Sequence, residues 1–265
     1  MLDFFNRQIN YMRISITDRC NLRCIYCMPE NGVEMKEHHD IISYESIIAV
    51  VREAVKLGIT KIRITGGEPL VRKNVEWLIE EINNIDGIEE IALTTNGVLL
   101  AKKAENLWKS GLRSINISLD TLDEKKYREL TRCGILQPVL DGIDEAVRLG
   151  FKVKLNMVVM DNTSDDDIGK MKVFCDGKGI KLQLINHFSI AQTKETSYCF
   201  DRPPDCSNCN RIRLLADGTL KPCLHSDCEF VLDMKDIKNS LKKTIAAKPE
   251  KGTKCTTRGM SQIGG

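Results

Sequence analysis

The chain has 265 residues, of which 42% are hydrophobic and 29% charged, with a formal net charge of +2. That balance gives no electrostatic case for a nucleic-acid or membrane-surface partner. No apolar run approaches the ~20 residues of a membrane span, and Met1-Leu2-Asp3-Phe4-Phe5 lacks the basic start and long apolar core of a signal peptide. Eleven cysteines without a secretion signal point to a cytoplasmic protein whose thiols serve metal rather than disulfides.

Met12 to Thr17 alternates apolar and polar residues as a half-buried strand does. Cys20, Cys24 and Cys27 follow on the loop leaving it. Three thiolates on one short loop can hold three irons of a [4Fe–4S] cube, leaving the fourth iron open to a substrate or cofactor. The competing readings are half a zinc site or buried core cysteines. Structural zinc usually pairs cysteines from two separated knuckles, and a loop of Asn, Arg and Tyr makes a poor core. Helical spacing then runs over 44–57, with Ser43 as N-cap, and a strand over 61–65 ends at Gly66-Gly67-Glu68-Pro69. Helix 73–84, strand 88–94 and Thr95-Asn96-Gly97 come next. Helix 100–109, strand 114–119, helices 123–131 and 136–148, strand 152–159, helix 164–177 and strand 181–185 complete the series. Six strands alternating with helices predict an α/β fold with a parallel sheet. Periodicity alone leaves a doubly wound sheet and a barrel equally open. Either way the unusual residues gather at the strands' C-terminal ends, where such folds keep their chemistry.

Beyond 190 the pattern changes, which divides the chain into 1–190 and a smaller region, 191–265, with a hairpin, a helix and a tail. Pro203-Pro204 predicts a stiff extended piece. Cys206 and Cys209 precede an alternating stretch, Asn210 to Leu215, and Asp217-Gly218 signals a hairpin that returns Cys223 towards them. A second cube with an open iron and a zinc ribbon with Cys228 as fourth ligand both fit that spacing. Met260 to Gly265 reads by composition as a frayed tail.

The C-x3-C-x2-C loop with Tyr26 before its last cysteine closely resembles the radical S-adenosylmethionine (SAM) superfamily. Cys206-x2-Cys209-x13-Cys223 around Asn210-Arg211-Ile212-Arg213-Leu214, together with the terminal Gly-Gly, resembles the GTP 3′,8-cyclase family of molybdenum cofactor synthesis. The resemblance implies a partial (β/α)6 barrel, two [4Fe–4S] clusters, on Cys20/Cys24/Cys27 and on Cys206/Cys209/Cys223, and SAM contacts at Tyr26, Gly67 and Ser118. It implies GTP contacts at Arg13, Arg63, Thr94, Lys154, Arg211 and Arg213, and a Gly-Gly tail reaching the active site. An electron donor such as flavodoxin or ferredoxin, and a monomer or homodimer, also follow from it. Two departures bear on substrate: Gln183 replaces a phosphate-binding arginine, and the segment before Cys206 is several tens of residues short. Phe188 likewise replaces a SAM-contacting methionine. Another nucleotide or a peptide as substrate, and a non-enzymatic metal-binding module, are the alternatives.

Overall fold

The computed structural model describes residues 1–32, 36–194, 199–200 and 205–264. The Pro203-Pro204 piece and Gly265 lie outside them. The expected alternation is present: β1 Tyr11–Ser15, α1 Tyr44–Lys56, β2 Lys61–Thr65, α2 Val75–Asn83, β3 Glu90–Thr95, α3 Leu100–Lys109, β4 Ser114–Ser118, α4 Glu124–Thr131, α5 Gln137–Arg148, β5 Lys152–Val159, α6 Asp165–Gly177 and β6 Lys181–Asn186. Ser43 caps α1 by accepting from the Ser46 N–H, at 3.1 Å. Strands β1 to β6 pair in parallel, each with its neighbour in sequence. The order is consistent with a TIM-like barrel left open on one side.

Successive strand residues face opposite ways. Met12, Ile14, Ile62, Ile64, Leu93, Ile115, Ile117 and Leu155 are buried in one core with the helix residues Ile47, Val51, Leu78, Ile79, Leu107 and Ile143. The alternate positions, Arg13, Arg63, Thr94, Asn116 and Lys154, therefore share the face turned away from the helices.

Three further strands, β7 Arg211–Leu214, β8 Thr219–Lys221 and β9 Phe230–Val231, extend the sheet beyond β1, giving the order β6-β5-β4-β3-β2-β1-β7-β8-β9. The Asp217-Gly218 hairpin joins β7 and β8 as its sequence predicts. Its first strand runs parallel to β1, a long-range pairing that no local pattern announces. Helix α7 Ile237–Ala246 follows, and a short turn of helix, α8 Met260–Ile263, ends the described chain. No helix among the described residues is long and apolar enough to cross a membrane.

Candidate active site

The first cysteine trio sits on the loop after β1, and the loop is pinned from two sides. Arg132 donates to the carbonyls of Arg23 (2.7 Å) and Met28 (2.9 Å), while the N–H groups of Arg23 and Ile25 bond to Thr131 and Leu130. Opposite, the turn after β2 packs on Arg19. A Cβ at Gly67 would lie 2.3 Å from the Arg19 carbonyl oxygen, so only glycine fits. The Gly67 N–H is spent on Thr17 (2.7 Å), and that of Glu68 on Arg19 (2.8 Å). Buried Glu68 accepts from Leu70 N, Thr95 Oγ1 and Asn96 N, and burial pushes its carboxyl up to about 7. Asn96 in turn donates to Asn21 (2.7 Å) and lies 3.9 Å from Cys20 Sγ.

Cys20, Cys24 and Cys27 are half-buried free thiols. Burial raises all three, Cys27 to about 12. Tyr26 turns its hydroxyl to Asp120, donating at 2.7 Å, and Asp120 also accepts from Val158 N at 2.8 Å. Burial lifts Asp120 to about 6. Ser118 stands two residues before it at the end of β4. A cavity of about 600 Å³ opens beside Tyr26 and Cys27, walled by Met160, His187, Phe188 and the tail residues Arg258 and Met260.

The second trio lies across the sheet. Cys206 opens a 3-10 turn that Cys209 ends, and Cys223 follows β8. Two buried cations fix them. Arg7, held by Asp3 at 2.6 Å, donates to the carbonyls of Cys206, Pro249 and Glu250. Lys248 donates to Cys209 Sγ (3.2 Å) and to the carbonyls of Arg211 and Pro222. Against the burial that would raise it, Lys248 and Arg211 hold the Cys209 thiol below its usual value, whereas burial raises Cys223. Among the described residues no three His, Cys, Asp or Glu side chains close around a single ion. A cube takes one thiolate per iron, so its ligands stand further apart than those of a single zinc.

Between the trios is a patch of positive charge. Register places Arg13 of β1 beside Arg63 of β2 and Arg213 of β7, with Tyr11 beside Arg211 one step below. Strands about 4.8 Å apart thus set three guanidinium groups abreast. Burial, then the neighbouring arginines, hold Arg13 well below the usual range, and burial with Arg211 beside it pulls Arg213 down to about 10. Among the described residues, Arg211 Nε and Arg213 Nη1 are buried without a hydrogen-bond partner. Arg63 donates to Tyr11 and, at 3.4 Å, to Thr94. Thr94, Asn116 and Lys154 stand abreast on β3, β4 and β5. Gln183 aligns with Asn156 and Ser118, one row nearer the strand ends than Lys154, and its amide donates to Leu184 O at 3.3 Å.

The tail is ordered. Asp227 accepts from the N–H groups and hydroxyls of Thr256 and Thr257, and Arg258 pairs with Asp217 and Glu229. Ile263 is buried against Ile190, Leu215 and Cys255. Gly264, at φ +76°, sits where a Cβ would lie 2.5 Å from Thr65 Oγ1, and its carbonyl accepts from Arg13 at 3.1 Å. Composition hid this because it does not record the partners that order a tail. Tyr11, Asp120, Arg7 and the partners of Lys248 were also missed; Arg7 lies 199 residues from Cys206, and nothing near it in sequence marks it.

A thiol trio with a glycine turn packed on its loop, at the C-terminal ends of parallel strands, defines an enzyme of the radical SAM superfamily, whose family model matches residues 14–175. SuiB of Streptococcus suis, solved bound to S-adenosylmethionine, shares the fold, with a TM-score of 0.70 at 17% identity over 92% of this chain and 66% of that one. The GTP 3′,8-cyclase of Thermodesulfovibrio yellowstonii is 41% identical over 322 aligned positions, and that of Alkaliphilus metalliredigens 42% over 320, each covering both chains completely. The chain belongs to the GTP 3′,8-cyclase family. Because 265 residues meet 322 aligned positions, at least 57 positions of the first alignment have no counterpart here.

Proposed function

We propose that this enzyme converts GTP to 3′,8-cyclo-7,8-dihydro-GTP, the cyclisation of molybdenum cofactor synthesis, in a partial (β/α)6 barrel with two [4Fe–4S] clusters. The observation that carries the substrate reading is the row Arg13, Arg63 and Arg213, with buried guanidinium donors left over. Three like charges abreast in a half-buried face repel one another and need an anion of several charges. A triphosphate supplies it. Thr94 and Lys154 extend the cradle along β3 and β5.

The first trio fits a cube: three thiols on one loop provide three ligands and leave one corner to SAM. When bound and reduced by a donor such as flavodoxin or ferredoxin, that cluster supplies the electron that splits SAM into methionine and a 5′-deoxyadenosyl radical. Tyr26, oriented by Asp120, and Phe188 line the cavity beside Cys27 that would take the cofactor, with Ser118 at the nearby end of β4. Gly67 lets the β2 turn close on the cysteine loop. Cys206, Cys209 and Cys223 would hold the second cube, which would supply an iron able to bind the purine base while the arginine row holds the phosphates. Gly264 is positioned by Arg13 at the phosphate end.

Gln183 and the missing positions favour weaker phosphate binding, or a different nucleotide, over any change in radical generation. One assay separates these. With SAM, reductant and GTP deuterated at the ribose 3′ position, deuterium is expected in 5′-deoxyadenosine. Its absence, with SAM still cleaved, excludes GTP.

A further inference from the structure

Two lysines point at sulfur, and both serve the second trio. Lys248 is 3% exposed, and its three ammonium protons are spent on Cys209 Sγ, Arg211 O and Pro222 O. Lys194 donates to Cys206 Sγ at 3.0 Å. Two of the three thiolates therefore carry a charge-assisted hydrogen bond. The first trio has a different setting. Cys20 accepts from the neutral Leu22 N–H (3.4 Å) and the Asn96 amide. The charged groups near it are the carboxyls of Glu68 and Asp120 and the guanidinium of Arg23, which is bonded to the carbonyls of Cys20 and Leu22. Among the described residues no lysine donates to Cys20, Cys24 or Cys27.

Reducing a cube adds a negative charge to its irons and sulfurs. An N–H donor with full positive charge on a ligating sulfur stabilises the reduced form more than the oxidised one, so it raises the reduction potential. We propose that Lys248 and Lys194 are the residues that set the second cluster's potential, raising it above the value its cysteine ligands alone would give. Lys248 also ties Cys209 to the Pro222-Cys223 corner, so one ammonium fixes the spacing of two ligands and tunes the metal they hold. The proposal rests on the second trio holding a cluster.

The test is a redox titration of anaerobic enzyme followed by electron paramagnetic resonance, with the first cluster's signal identified by its shift on adding SAM. In Lys248→Met the second signal's midpoint is expected to move to lower potential while the first stays in place; in Lys248→Arg it is expected to return towards the wild-type value. Lys194→Gln is expected to give a smaller shift in the same direction, and it carries the measurement if Lys248→Met does not retain the cluster. A loaded Lys248→Met or Lys194→Gln enzyme whose second midpoint equals the wild-type value overturns the proposal, as does an equal shift of both clusters. A wild-type enzyme with no second signal instead overturns the two-cluster reading beneath it.

Discussion

The two cysteine trios are built in contrasting ways. The first hangs on one loop, three thiols within eight residues, and is held through its backbone by Arg132 and by the close approach of Gly67. The second is assembled from two segments, a 3-10 turn and a hairpin end, and is held by the side chains of Arg7 and Lys248. Burial raises every thiol of the first, so metal binding must itself drive those protons off. In the second, Lys248 and Arg211 hold Cys209 below its usual value, while burial still raises Cys223. The contrast teaches that a compact motif needs a cation only to pin its own loop, whereas a dispersed one needs buried cations that bridge separate segments.

The most severe break in that contrast comes from the ligands. Cys24→Ser is expected to abolish SAM cleavage, read as 5′-deoxyadenosine. Cys209→Ser is expected to leave SAM cleavage but end cyclisation. Equal loss of both activities in both variants would erase the division of labour.

The phosphate row is next. Arg213→Gln removes one charged donor, at about 1.5–3 kcal/mol, so the KM for GTP should rise roughly 10- to 100-fold while the KM for SAM holds. Arg7→Gln should weaken only the second site: iron content falls towards that of one cluster, and SAM cleavage survives.

Glu68 sharpens the comparison through pH. Its carboxyl is raised from 4.5 to about 7, so across that window the folded chain keeps a proton that the unfolded chain has released. Stability from this group is therefore present below pH 4.5 and lost as pH rises towards 7, about 3 kcal/mol in all at ~1.4 kcal/mol per unit. Relative to wild type, Glu68→Gln should remove that slope from the pH dependence of unfolding. The smallest effect is expected of Gln183→Arg, which restores a cation on the row of Asn156 and Ser118 and should lower the KM for GTP a few-fold.

Much of this was legible in the sequence because it is local. Strand alternation from Met12 to Ile185, the glycine turns and the Asp217-Gly218 hairpin lie in short windows, and β2 and β5 match their expected bounds. The arginines were named one by one. That Arg13, Arg63 and Arg213 stand abreast depends on register between strands up to 200 residues apart, which no window contains. Asp120 lay two residues past a named serine, yet its role depends on Tyr26, 94 residues away. The bond from Lys248 to Cys209 joins residues 39 apart in the chain and belongs to the folded protein alone.

Iron and acid-labile sulfide counts on anaerobically purified enzyme, taken beside Cys209→Ser, test the central claim most directly. About eight irons in the wild type and about four in the variant are expected of two cubes. About four irons and one zinc in the wild type would contradict it, because the second trio would then close around a single metal ion with no corner left for a purine.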